Sequence, residues 1–201
     1  MDIGTYNTTK DQLDGIVDLR VVNYEVTPPA FWGDMPSGMK ASRQKLGDQW
    51  WHYAKDDVRM RHTRLDWSLV SPILYGWSGW DLKTEGYCLW QCMDWNQQDP
   101  FNRPGAVWSY VALWYPGQKL GIDGPIPSMR LKGFRRGLQD CEHLGLLTKL
   151  RKGDSSAADA ILNKVYKLAS AAPGSIKVEA EDTFRMRYEV FSAIQAATKP
   201  K

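Results

Sequence analysis

The sequence predicts an α/β protein in which parallel strands are connected by helices. Three short segments, residues 16–23, 49–54 and 87–93, have the composition of buried β-strands. Each is followed by a segment that favours a helix, and this alternation is typical of parallel βαβ units. Hydrophobic residues make up 43% of the 201 residues, an ordinary value for a soluble globular domain.

The first predicted strand, 16–23, is rich in β-branched residues, and Tyr24 and Glu25 follow at its end. Prolines and a glycine then stop it, and a modest helix is expected over residues 37–46. The second strand, 49–54, has the sequence QWWHYA. Its aromatic content favours a strand, and a charged turn follows it.

An amphipathic helix is predicted from about Arg64 to Tyr75. Its apolar positions recur at i, i+4 and i+8, namely Leu65, Leu69 and Ile73. Pro72 lies inside this segment and is expected to kink or shorten the helix. The third strand, 87–93, follows Gly86 and precedes a polar stretch, so it has the length and borders of a buried strand.

A long segment, 94–125, separates the third strand from the next helix. Connections of this length are uncommon and are often functional. Five aromatic residues make disorder a poor explanation of it: Trp95, Phe101, Trp108, Tyr110 and Trp114. A long amphipathic helix is predicted to begin at Pro127-Ser128 and to end near Leu150.

The composition changes after Leu150, and two further helices are predicted. The first follows Ser155 and has Ile161, Val165 and Leu168 on one face, while the second starts at Asp182 and has Phe184, Tyr188 and Phe191 on one side. We expect both to form an outer layer. The predicted domains are therefore residues 1–150, with the strand–helix units, and residues 151–201, a helical extension packed on them.

A set of residues around the long helix resembles the C-terminal signature of a bacterial family, domain of unknown function 4091. The matching positions are Tyr115, Pro116, Gly117, Gly124, Pro125, Pro127, Ser128, Arg130, Leu131, Arg135, Gly137, Leu138, Asp140, Glu142 and Leu144. That family is similar to the family 123 glycoside hydrolases, which are N-acetylgalactosaminidases. Departures from the pattern occur at Arg136, Gln139, Cys141 and His143.

The resemblance implies that the three strands are the last three βα units of a (β/α)8 TIM-type barrel. The other five strands would then lie upstream of Met1, and the first strand would have an unpaired edge. Either the missing N-terminal barrel half or a second chain would cover that edge. Arg130, Arg135, Asp140 and Glu142 belong to the helix that carries the resemblance, and we expect them to form ion pairs and caps that fix this helix to the barrel, a structural role.

The active sites of such barrels lie at the C-terminal ends of the strands. This rule selects ten residues, which include Asn23 and Met93. The eight candidate substrate-binding residues among them are Tyr24, Glu25, His52, Tyr53, Trp90, Gln91, Asp94 and Trp95. An aromatic ring can stack on the C–H face of a sugar, while carboxamide and carboxylate groups hydrogen-bond its hydroxyls. Two alternatives stay open here, because Trp90 could equally be a core residue and His52 could be a structural, hydrogen-bonded histidine.

The catalytic residues of the resembled hydrolases are absent from this sequence. Those enzymes are understood to use an adjacent Asp-Glu pair, in which the Asp orients the substrate acetamide and the Glu is the general acid/base. No Asp-Glu dipeptide follows any predicted strand, and Glu181-Asp182 begins a helix. Asp94 and Glu25 are an alternative carboxylate pair. We therefore predict a chain that contributes to a carbohydrate pocket but is not catalytically self-sufficient.

The composition excludes several other classes of function. The net charge of +3 is small and dispersed, so nucleic acid is not an expected partner, and no segment is apolar enough to predict a membrane partner. The three cysteines and three histidines have no metal-ligand spacing, so neither a metal nor another cofactor is expected. The alternative function is a non-catalytic module, either carbohydrate-binding or structural.

Overall fold

The computed structural model describes residues 18–23, 47, 49–53, 68–89, 113–169 and 178–199. The strands in this part of the chain are β1 (Leu19–Asn23), β2 (Gln49–Tyr53), β3 (Gly86–Cys88), β4 (Trp114–Pro116) and β5 (Pro125–Pro127). The helices are α1 (Ser71–Leu82), α2 (Met129–Leu150), α3 (Ser156–Ala169) and α4 (Ala180–Thr198). The helix predicted over residues 37–46 lies outside the described residues.

The chain divides into two compact units. The first comprises Met1–Asp57 and Ser78–Trp90, and the second comprises Val58–Trp77 and Gln91–Lys201. Helix α1 begins in the second unit and ends in the first. The predicted boundary at residue 150 stays a prediction.

The first unit contains a three-stranded parallel sheet in the order β1-β2-β3. The prediction of three parallel strands side by side is therefore confirmed. The third strand is shorter than predicted, since β3 ends at Cys88 and residues 90–93 lie outside the described residues. The fold class is α/β, with short strands and a larger share of helix.

An apolar cluster covers one face of this sheet. Leu19 and Val21 are buried, and Trp51 and Cys88 pack against them. Gly86 is the register partner of Trp51, and a Cβ atom at Gly86 would collide with the indole ring. The sheet therefore uses glycine at this position because the large Trp51 side chain lies across the neighbouring strand.

Helix α1 begins about seven residues later than predicted, at Ser71 rather than near Arg64. Pro72 explains the difference, because it occupies the first helical turn, where a missing backbone N–H costs no intrahelical hydrogen bond. Proline therefore opens this helix instead of kinking it. Leu69, which the predicted helix placed on its apolar face, lies in a turn and is 48% exposed.

The second unit contains a two-stranded antiparallel ribbon inside the segment predicted to be one long loop. Strand β4 pairs with β5, with Tyr115 opposite Ile126. Ser128 follows β5, and its hydroxyl oxygen accepts a hydrogen bond from the Leu131 backbone N–H at 3.2 Å. The predicted start of the long helix at Pro127-Ser128 is confirmed, with Ser128 as the capping residue.

The first part of α1 crosses α2 at two glycines. Tyr75 and Phe134 stack at a centroid distance of 5.3 Å on one side of this crossing. A Cβ atom on Gly76 would lie 2.6 Å from the Gly137 Cα, and one on Gly137 would collide with the Ile73 carbonyl oxygen. The two backbones are in direct contact here, which only glycine permits.

Helices α3 and α4 follow the turn after α2 and both pack with it. Hydrogen bonds from Ser156 and Arg151 hold the pKa of the exposed Asp154 carboxyl below its ordinary value. In α3 the buried face includes Ile161 and Val165, as predicted from their spacing. The side chain of the third residue predicted on this face, Leu168, lies outside the described residues.

Helix α4 buries a different face from the one that its aromatic residues suggest. It starts at Ala180, after a capping box between Glu179 and Asp182. Its buried residues are Thr183, Met186, Arg187 and Val190, whereas Phe184, Tyr188 and Phe191 are 64%, 75% and 41% exposed. The aromatic side that the sequence pattern defined is therefore not the buried side of this helix. Both sets have helical spacing, and the buried Arg187 decides between them, because its partner lies on α2.

This orientation of α4 gives a testable contrast in stability. Tyr188→Ser is expected to change the free energy of unfolding by less than about 0.5 kcal/mol, since the side chain is exposed. Val190→Ala, two residues away and 2% exposed, should cost roughly 2 kcal/mol through lost burial and a new cavity. Urea unfolding of both variants measures the difference. A larger loss for Tyr188→Ser than for Val190→Ala would contradict this orientation.

Candidate functional site

The structure describes two of the eight predicted substrate-binding residues. His52 is described in full, and Tyr53 is described as the last residue of β2, without its side chain. The other six lie outside the described residues: Tyr24, Glu25, Trp90, Gln91, Asp94 and Trp95. Their predicted roles stay predictions.

The C-terminal ends of the three parallel strands are level with one another. Asn23 of β1 pairs with Tyr53 of β2, which in turn pairs with Cys88 of β3. Tyr24 and Glu25 directly follow the first end in sequence, and Trp90 comes two residues after the third. In parallel α/β folds, ligands bind at this edge of the sheet.

His52 lies one residue before the end of β2 and is 1% exposed. Its Nε2 is 2.6 Å from the Ser78 hydroxyl oxygen on α1, and its Nδ1 is 2.8 Å from the Thr84 hydroxyl oxygen on the connection to β3. In a neutral imidazole one of these nitrogens donates a hydrogen bond and the other accepts one. Both nitrogens are thus engaged with hydroxyl groups of the protein.

Tyr87 of β3 completes this group. Its ring meets the His52 ring edge-on at a centroid distance of 4.4 Å, and its hydroxyl accepts a hydrogen bond from the Gly79 backbone N–H at 3.1 Å. We call these four residues, His52, Ser78, Thr84 and Tyr87, the histidine cluster. It joins β2, the end of α1, the following connection and β3 within the first unit.

The geometry of the histidine cluster favours the structural interpretation of His52. A serine near a histidine suggests an activated nucleophile, but Ser78 is fully buried and the second nitrogen meets a threonine instead of an orienting carboxylate. Neither His52 nor Ser78 presents a polar atom to solvent. The cluster binds secondary-structure elements together, and its His52 and Ser78 side chains are buried.

The two faces of the sheet differ in chemistry. His52 lies on the face that meets Ser78 of α1, whereas Trp51, the residue before it, lies on the other face with Leu19 and Val21. The described part of this second face is apolar and aromatic. A sugar-stacking surface would need such a face, and the sequence had not distinguished the two sides.

A buried ion pair occupies the second unit, on the helix that carries the family resemblance. Asp140 of α2 is 2% exposed and accepts hydrogen bonds at 2.8 Å from Nε and from Nη2 of Arg187 on α4. It also accepts one from the indole N–H of Trp77 on α1, at 2.9 Å. Asp140 therefore forms an ion pair as predicted, and its partner belongs to α4, in the predicted helical extension, and not to the predicted barrel.

Sequence reasoning missed the partners Arg187 and Trp77. One signal was available in the sequence. At helical spacing Arg187 shares a face of α4 with Thr183 and Val190, so a cationic side chain lies on an otherwise uncharged face. A buried arginine requires an anion. The exposed Arg135 and Glu142 of the same motif do not contribute to this buried group.

No group of three or more His, Cys, Asp or Glu side chains in the described part of the chain could hold a metal ion. None of the described helices combines the length and the hydropathy needed to cross a bilayer. Cys88 and Cys141 are not disulfide-bonded, and the Cys141 thiol donates a hydrogen bond to the Gly76 carbonyl oxygen at 3.2 Å.

The comparisons with known proteins give a likeness of fold. The structure is similar to that of a family 123 glycoside hydrolase from Clostridium perfringens, solved in a study of glycolipid glycan hydrolysis. The TM-score is 0.52, the sequence identity is 20%, and the match covers 98% of this chain and 34% of that enzyme. The chain therefore spans about a third of its neighbour's length.

The sequence comparisons add no family. No family profile matches the chain, and no curated protein matches it either. The structural likeness supports a distant relationship to part of a glycoside hydrolase. The resemblance to domain of unknown function 4091 stays a prediction.

Proposed function

We propose that this chain is the C-terminal portion of a glycoside hydrolase-like barrel and contributes sugar-stacking aromatic side chains to a carbohydrate pocket. The observation that carries the proposal is the level row of three parallel strand ends, in a fold similar to one third of a glycoside hydrolase. Active sites of α/β barrels lie at such ends. The proposed ligand is an N-acetylhexosaminide.

The apolar face of the sheet supports this assignment. Tyr53 comes two residues after Trp51, and Trp90 comes two residues after Cys88, while Trp51 and Cys88 both pack on that face. Residues two apart along a strand share a face. The proposal therefore puts Tyr53 and Trp90 at the rim of the aromatic face, where a sugar ring could stack on them. Gln91, Asp94, Trp95 and Glu25 would then supply neighbouring contacts.

The proposed barrel also defines the partner. Strands β1–β3 would be three of eight, and β1 pairs among the described residues with β2 alone. Its other edge would pair with a strand of the missing barrel half or of a second chain, since a barrel leaves no strand edge unpaired. That assembly would close the wall around the pocket, whereas the sugar-stacking pair, Tyr53 and Trp90, would belong to this chain alone.

Binding of N-acetylgalactosamine tests the carbohydrate site. We expect the sugar to change the tryptophan fluorescence of the wild-type chain, and Trp90→Ala to weaken binding at least about tenfold while the unfolding midpoint stays unchanged. Tyr188→Ala, which removes an exposed aromatic ring of the second unit, is the matched control and should bind like the wild type.

Two results would contradict the carbohydrate site. One is a wild-type chain whose fluorescence does not respond to the sugar. The other is a Trp90→Ala variant that loses about 3–5 kcal/mol of stability, the cost expected for a core tryptophan. Together they would support the alternative, a structural module in which the aromatic residues form the core.

The second expectation concerns catalysis. The chain alone should not hydrolyse a chromogenic N-acetylgalactosaminide, because the sequence contains no Asp-Glu dipeptide to orient the acetamide and protonate the leaving group. A steady-state assay with purified protein measures this. Turnover that disappears in Asp94→Ala or Glu25→Ala would show that those two carboxylates form a working pair.

A further inference from the structure

We propose that the exposed aromatic side of α4 and the neighbouring edge of α2 form a docking surface for an acidic amphipathic helix of a partner protein. This surface belongs to the second unit alone, so the proposal does not depend on the carbohydrate site. We call it the α2–α4 groove and define it by Arg136, His143, Phe184, Tyr188 and Phe191.

Helices α2 and α4 lie side by side and run in the same direction. Asp140 of α2 binds Arg187 of α4, and one turn further along both helices the His143 ring meets the Phe191 ring edge-on at a centroid distance of 4.8 Å. Two neighbouring helices leave a groove between them into which a third helix can pack. About 160 Å³ of empty space lies in this groove, lined by Asp140, His143, Met186, Arg187, Val190 and Phe191.

The aromatic side chains of the groove form an exposed stripe along α4. Phe184 and Tyr188 are more than half exposed, and Phe191 is 41% exposed. Their spacing, i, i+4 and i+7, is that of the anchor residues through which amphipathic helices bind a partner. The Arg187 guanidinium carbon lies 5.6 Å from the Phe184 ring centroid, which places a cation beside the stripe. Exposed apolar patches next to polar groups mark interaction surfaces, and aromatic residues are enriched at their centres.

The α2 side of the groove has a surplus of positive charge. Two arginines share the single Asp140 carboxylate, since Nε of Arg187 is 2.8 Å and Nε of Arg136 is 3.8 Å from its Oδ1. One carboxylate neutralises one guanidinium, so a positive charge is left at the rim, where the Arg136 side chain is 44% exposed. Lys132 is exposed one turn earlier on the same edge and adds a second positive charge.

The acidic residues of α4 do not offset this surplus. Asp182 pairs with Arg185 at 3.6 Å, and Glu189 pairs with Lys164 of α3 at 2.6 Å. Glu181 lies in the first turn of α4, before the aromatic stripe begins. A partner with apolar residues on one side and carboxylates on the flank that faces α2 is therefore complementary to the groove in both shape and charge.

The shape of the surface favours a helix over a lipid bilayer. A bilayer surface is flat on this scale and would contact Tyr188 without filling the depression beside Phe191, whereas a docked helix can place a side chain in it. The stripe from Phe184 to Phe191 extends about 10 Å along α4, at about 1.5 Å per residue. A partner helix of about three turns would cover it.

A matched pair of synthetic peptides tests the proposal. Each is a helix of about 15 residues with leucines at i, i+3, i+4 and i+7. One peptide has glutamates along one flank of the leucines, and the other has lysines at the same positions. Fluorescence anisotropy of the labelled peptides measures their binding to the full chain. We expect the glutamate peptide to bind at least about tenfold more tightly than the lysine peptide, with a smaller difference at high salt.

Three variants locate the binding site. Tyr188→Ser removes an exposed ring and should weaken binding of the glutamate peptide at least about fivefold. Arg136→Gln should weaken it about two- to fivefold. Arg135→Gln is the matched control, because it removes the same charge from an exposed position one residue away, roughly a quarter turn around α2. It should bind like the wild type, since a long-range effect of net charge would change both arginine variants equally.

A preference for the glutamate peptide that requires Tyr188 and Arg136 but not Arg135 supports the proposal. Absence of binding, or equal binding of the two peptides, overturns it. A chain that sediments as a dimer and becomes monomeric in Tyr188→Ser overturns it in favour of a second copy of the chain. Binding to phosphatidylserine vesicles that is lost in Tyr188→Ser overturns it in favour of a membrane surface.

Discussion

Replacing Asp140 by alanine is expected to destabilise the protein by about 3–5 kcal/mol. The substitution leaves the Arg187 guanidinium, 7% exposed, without its carboxylate, and it removes the acceptor of the Trp77 indole N–H. An uncompensated buried charge costs far more than the ion pair itself contributes. The free energy of unfolding in urea measures the loss. Side chains of α1 and α4 both bind this carboxylate of α2, so the substitution should destabilise the whole second unit.

Two companion variants sharpen the Asp140 experiment. Glu142→Ala removes an exposed carboxylate two residues away on the same helix and should change stability by less than about 0.5 kcal/mol. Asp140→Leu combined with Arg187→Met replaces the pair by apolar side chains and should recover much of the loss, since no charge is left buried. An Asp140→Ala variant as stable as Glu142→Ala would show that the buried pair does not hold these helices together.

Gly137→Ala is expected to destabilise the protein strongly, although it adds only one methyl group. Its new Cβ would collide with the Ile73 carbonyl oxygen and lie 2.9 Å from the Gly76 Cα, and backbone atoms cannot turn aside as a flexible side chain can. Helices α1 and α2 would have to separate at their crossing. We expect a loss of about 3 kcal/mol, at the upper end of the range for overpacking.

Gly133→Ala is the matched control for this steric argument. Gly133 lies one helical turn earlier on α2, and a Cβ there would meet its nearest atoms, the Leu69 carbonyl oxygen and the Pro72 Cβ, at 3.4 Å. Since alanine favours a helix over glycine by about 0.5–1 kcal/mol, this variant should be neutral or more stable. Equal effects of the two substitutions on the unfolding midpoint would contradict a direct backbone contact between α1 and α2.

The sequence alone determined the parallel sheet. Strand composition and the alternation with helices are local properties, and the parallel order β1-β2-β3 follows from them because a strand–helix–strand unit returns the chain in the same direction. The start of α2 was equally predictable, because Ser128 after Pro127 is a capping signal that acts within four residues. Such features depend on neighbours in sequence, and so they can be predicted from it.

The tertiary structure decided which side of each helix or strand is buried. Two faces of α4 have helical spacing, and only the partner of Arg187, 47 residues away on α2, selects the one with Met186 and Val190. In the same way, the strand pattern of β2 left the role of His52 open, because its hydroxyl partners are 26 and 32 residues away. Hydrophobic periodicity predicts which residues share one face of a helix or strand. Whether that face is buried depends on the elements that pack against it.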